Sequence, residues 1–103
     1  MTDPALLKSW KMTETLLERA RHALPPASEG REHEYASLLT QYAEFLAHNE
    51  LELALDMLEE LGHVASCSGD FWRDLERAAE NMGLVKRLPA LRKAFSDAAP
   101  GSD

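Results

Sequence analysis

One cysteine, Cys67, among 103 residues excludes an internal disulfide, so the chain must be held by packing alone. β-Branched residues are nearly missing: only Val64, Val85 and four threonines occur, and no apolar–polar alternation persists, which excludes a sheet. Long uncharged apolar runs are missing too. Nothing approaches the roughly 18 residues a spanning helix needs, and Met1 to Lys11, with Asp3, Lys8 and Lys11, lacks the layout of a secretory signal. These absences are read as a cytoplasmic protein with no membrane association. Basic residues are in deficit, 11 Lys and Arg against 18 Asp and Glu, a net charge of −7. That sign argues against nucleic acid as the primary ligand, because phosphate backbones are gripped by cations. The five glycines stand singly, which leaves no phosphate-cradling loop.

What is present is helical periodicity. Asp3 and Pro4 suit a helix start, Leu7, Trp10, Leu17, Ala20 and Leu24 fall near one face, and Pro25 and Pro26 stop the run. Tyr35, Leu38, Leu39, Tyr42, Phe45 and Leu46 then recur at three and four, the spacing of one helix side. Asn49 with Glu52 reads as a capping pair for a third helix, whose stripe is Leu51, Ala54, Leu55, Leu58 and Leu61 and whose left-handed stop is Gly62. Ser68 or Asp70 caps a fourth helix carrying Phe71, Trp72, Leu75, Ala78, Ala79 and Met82, closed by Gly83. A shorter fifth spans Leu84 to Phe95, with Pro89 moving its start toward Leu88. The expected fold is all-α: a compact bundle of four to five short helices around the antiparallel second and third. It forms one domain over residues 1–95, followed by a disordered tail at 96–103.

Catalytic patterns are sparse. Four histidines, at 22, 33, 48 and 63, carry neither HExxH nor CxxC, so no metal, cofactor or enzymatic activity is expected, a site built from His48, Glu52 and His63 being the weakest reading. Glu59 and His63, four apart, read as a helix-end pair, and Cys67 as chemically idle. The more informative feature is the outer face of the third helix, where Glu52, Asp56, Glu59 and Glu60 lie opposite the leucines, and from Glu50 to Glu60 five acids meet no base. Solvation alone commonly explains such a face; the functional reading is attraction of a basic protein partner, with Glu44 and Glu50 extending the patch past His48 at the helix junction. Lys86, Arg87, Arg92 and Lys93 form a basic stretch that is read as balancing the fold internally or joining a second copy, in preference to weak nucleic-acid binding. The alternative function is accordingly a homodimeric scaffold using that charge asymmetry and exposed aromatics such as Trp72.

The stretch Glu44 to Gly62, EFLAHNELELALDMLEELG, resembles small bacterial immunity proteins of polymorphic toxin systems, especially the MafI-like group, and FWRDLERAAENMGL, Phe71 to Leu84, looks like the second recurring helix of that group. The resemblance implies a compact helical protein without enzymatic activity that binds a cognate toxin domain and blocks it. The partner-facing residues it and the acidic face together suggest are Glu44, His48, Glu50, Glu52, Asp56, Glu59 and Glu60.

Overall fold

The described residues form five α-helices: α1 (Pro4–His22), α2 (Glu32–Ala47), α3 (Leu51–Val64), α4 (Gly69–Asn81) and α5 (Leu88–Ala98), with a 3-10 turn at Val85–Arg87 before the last. They are seen in a computed structural model that describes residues 4–98, with side chains from Ser9 onward. No strand occurs among the described residues, and no helix there is long and apolar enough to cross a membrane. The fold is the all-α bundle that the periodicity predicts.

Which helix is central follows from burial. Seven of the 14 residues of α3 are buried, including Leu55, Leu58 and Leu61 at full burial, and α4 adds Phe71, Leu75 and Ala78. At about 1.5–3 kcal/mol per large apolar side chain, these two helices supply most of the apolar stabilisation. α2 buries only Leu38 and Tyr42 of its 16 residues, so the helix with the clearest periodicity is an edge element whose Leu39, Phe45 and Leu46 are half-covered.

α2 and α3 form the expected hairpin. α4 packs against α1, α3 and α5. Its pairing with α1 is antiparallel: Arg19 Nη2 reaches Asp74 Oδ1 at 3.0 Å, while Asn81 Nδ2 donates to Thr13 Oγ1 and to the Ser9 carbonyl, each at 2.7 Å. Asp74 and Thr13 are the buried polar side chains, and each has found its partner across this seam. Trp10, assigned by its spacing to the inward face of α1, instead remains 38 % exposed beside Thr13's buried position. The Asp3 cap lies outside the described residues.

Two helices end in the same way. The Asn49 N–H donates to the Leu46 carbonyl and the Glu50 N–H to the Phe45 carbonyl, with Asn49 left-handed at φ 61°. At α4 the N–H groups of Gly83 and Leu84 bond to Glu80 and Ala79, with Gly83 at φ 76°. Both are 6→1 and 5→2 closures that satisfy orphan carbonyls. Asn49 therefore terminates α2 and does not cap α3, whose N-cap, Glu50, makes no side-chain capping bond. Ser68 likewise holds the N-cap position of α4 without such a bond.

Gly62 departs from expectation. It lies buried inside α3, which continues to Val64, and a Cβ there would come within 2.5 Å of Trp72 Cη2 and 2.7 Å of Phe71 Cε2. This glycine lets two aromatic rings of α4 approach the α3 backbone; it is a packing residue, not a stop. Ser96, Asp97 and Ala98, assigned by composition to a disordered tail, instead continue α5, where Lys93 Nζ meets Asp97 Oδ2 at 2.9 Å, and residues 99–103 lie outside the described part.

Candidate protein-binding surface

An α-helix advances about 100° per residue, so Glu52, Asp56 and Glu59 share one flank of α3 and Glu60 and Leu53 lie on the next. Gly83 turns the chain back toward that first flank, and the 3-10 turn delivers Arg87 onto it. Its Nη1 donates to Asp56 Oδ1 and lies 3.6 Å from Glu59 Oε1, and its Nη2 lies 3.5 Å from Glu52 Oε2. The hydrogen bond to Asp56, outweighing burial, holds the Arg87 guanidinium above its ordinary value, with the Glu59 and Glu52 charges adding to it. The three carboxylates read from sequence as facing outward to a partner thus already hold a cation of their own chain. Asp56 and Glu59 are only half-exposed as a result.

Compensation is incomplete. Five carboxylates between Glu50 and Glu60 meet one guanidinium, leaving four negative charges in surplus along a single helix. Glu44, His48, Glu50 and Glu60 are all exposed. The first three gather at the α2–α3 turn, whereas Glu60 stands ten residues beyond Glu50, about 15 Å along the axis. The seven residues suggested by sequence therefore fall into a clamp, a turn cluster and one isolated acid. Between them sits Leu53, 40 % exposed, three residues from both Glu50 and Asp56. Sequence reasoning passed over it, although a leucine off the buried stripe was the available signal.

Two other reactive side chains, His63 and Cys67, lie against or within the core. His63 lies tilted against Trp72, with centroids 5.0 Å apart and planes at 43°, while Glu59 turns to Arg87, so the expected Glu59–His63 pair is replaced by two separate contacts. Trp72 is buried at 4 % exposure and packs edge-on against Phe71; it is not an exposed aromatic. Burial pushes the Cys67 thiol up to about 11, which keeps it protonated and poorly nucleophilic near neutrality. Among the described residues no group of three or more His, Cys, Asp or Glu is placed to hold a metal ion.

No family model, curated protein or solved structure matches the chain.

Two further features bear on partners. In the basic stretch, Arg92 bonds Glu76 at 2.8 Å and approaches Glu80 at 3.4 Å, while Lys93 pairs with Asp97. With Arg87 in the clamp, three of its four cations are engaged in internal ion pairs. Between α1 and α2 an open groove of about 510 Å³ is lined by Leu39, Ala43 and Leu46, with Glu14 and Glu18 at its side. The buried Tyr42 closes its floor by donating its hydroxyl to Glu18 Oε2 at 2.6 Å. Burial first, and then that bond, raises Tyr42 above the ordinary phenol range.

Proposed function

We propose that this chain is a non-catalytic cytoplasmic binding protein of the immunity type, which captures a basic toxin domain on the outer face of α3 and neutralises it. The observation that carries the reading is the surplus of carboxylates on α3 after Arg87 has been counted, surrounding the exposed Leu53. Interfaces commonly set an apolar centre inside a polar rim, and surplus charge of one sign accelerates encounter with the opposite sign. The similarity of Glu44 to Gly62 to the MafI-like stretch supports the same reading.

The clamp determines which substitutions test it. Reversing Glu52, Asp56 or Glu59 also expels Arg87 and confuses folding with binding. Glu50 and Glu60 have no cationic partner among the described residues, so Glu50→Lys with Glu60→Lys leaves the clamp whole. The test is co-expression with the candidate toxin domain encoded beside this chain, scored by cell survival and by recovery of the complex. The double variant should associate at least about tenfold more slowly at low salt while melting as the parent does. Loss of protection by the parent chain, or an association rate indifferent to both substitutions and salt, would refute the reading.

A further inference from the structure

Beside the clamp, where the N-terminal half of α1 passes the start of α3, lies a recess of about 240 Å³ lined by Trp10, Met82, Leu84, Glu52 and Asn81. Ligand cavities for small molecules and cofactors run from about 300 Å³ upward, so this one is of a size for a single long side chain. Its walls are an indole, a thioether and a leucine. Its polar lining is Asn81, the hydroxyls of Ser9 and Thr13, and Glu52, whose carboxylate is the one charge. Asn81 spends its Nδ2 on the Ser9 carbonyl at 2.7 Å, on Ser9 Oγ at 3.3 Å and on Thr13 Oγ1 at 2.7 Å. Since a carbonyl can only accept, that orientation of the amide is fixed and its oxygen is left as an acceptor. Glu52 touches Arg87 through Oε2 alone, at the long distance of 3.5 Å; its Oε1 makes no hydrogen bond among the described residues, and the side chain is 57 % exposed.

An aromatic side chain, apolar walls, a carboxylate and an amide oxygen are complementary to a donor-rich cation on an apolar stem. The geometry points to this recess as the seat for one arginine side chain of a protein partner: its guanidinium stacks on Trp10 and bonds Glu52 Oε1, and its methylenes lie against Met82 and Leu84. Arginine fits better than lysine because its planar group stacks on an aromatic ring and offers several in-plane donors, whereas ammonium is a strongly hydrated point charge. The inference rests on the reading of α3 as the partner-facing helix, to which Glu52 connects the recess, and it adds a specific contact.

The experiment uses the full chain labelled with 5-fluorotryptophan, which gives separate ¹⁹F resonances for Trp10 and the buried Trp72, assigned with Trp10→Phe. The probe is the peptide Gly-Ser-Gly-Arg-Gly-Ser-Gly amide, with its citrulline counterpart as the uncharged isostere. The Trp10 resonance should shift and saturate with the arginine peptide while that of Trp72 stays fixed, and the citrulline peptide should bind at least about fivefold more weakly. Glu52→Gln should weaken the arginine peptide by a similar factor, with its melting temperature followed separately because the substitution also gives up the long contact to Arg87. An unmoved Trp10 resonance, equal binding of both peptides, or indifference to Glu52→Gln would overturn the assignment. A silent Trp10 together with intact toxin binding sinks the recess and spares the α3 reading; a responsive Trp10 with no toxin protection does the reverse.

Discussion

Gly62→Ala separates two accounts of one residue by the sign of its effect. Inside a helix, replacing glycine by alanine gains about 1 kcal/mol of backbone propensity. Against that stands a methyl group built 2.5 Å from Trp72 Cη2, 2.6 Å from its Cζ2 and 2.7 Å from Phe71 Cε2. Neither ring can step aside easily: Phe71 is fully buried, Trp72 nearly so, and the two are locked edge-to-face at 5.1 Å. Overpacking of a rigid core costs about 1–3 kcal/mol, and contacts this short with two rings belong at or above the upper end. The net expectation is a loss of about 2 kcal/mol, which for a domain of this size lowers Tm by about 8–15 °C. Thermal melts followed by near-ultraviolet circular dichroism read both the loss and the displaced Trp72. In the Trp72→Phe background the same substitution should be less damaging by more than about 0.5 kcal/mol, the signature of a direct contact. A Tm raised by a few degrees, as an ordinary helical glycine would give, refutes the packing account.

Arg87→Ala should lower stability by about 1–3 kcal/mol, because three carboxylates on one flank of α3 lose their counter-charge. The deficit should shrink in 1 M NaCl, and Arg87→Lys should recover only part of it; urea melts at two salt concentrations that show no loss would remove the clamp from the account of stability. Cys67, raised from 9.0 to about 11 by burial, should react with iodoacetamide at neutral pH only as fast as the protein opens. Since the unfolded thiol ionises first, this group should draw stability down as pH climbs from 9.0 toward 11; a burst of labelling in the native state would contradict its burial.

Much of the fold was legible because its elements are local. The Tyr35–Leu46 and Leu51–Leu61 stripes mark α2 and α3, Pro25 and Pro26 mark the gap after α1, and Gly83 and Pro89 bracket the turn into α5. Three features escaped because tertiary contacts decide them. A glycine near a helix end looks alike whether it supplies a left-handed residue, as Gly83 does, or admits a ring, as Gly62 does. Asn49 fits both the start of one helix and the close of another, and only its hydrogen bonds choose between them. Arg87 lies 31 residues beyond Asp56, a distance across which charge patterning carries no positional information. Asp74 was a usable signal: an acid between Phe71 and Ala78 on the apolar side of α4 implies a cation reaching in, which Arg19 provides.

The seam between α1 and α4 has a kinetic consequence. Its polar contacts join residues 55 to 72 positions apart, whereas the α2–α3 hairpin closes across a three-residue turn. Loop-closure entropy therefore favours the hairpin early and delays docking of the first helix until α4 offers a surface on which to settle. Weakening the Arg19–Asp74 contact would then shorten the lifetime of the native state far more than it slowed folding. Of the described helices, the first to be synthesised waits the longest for its place.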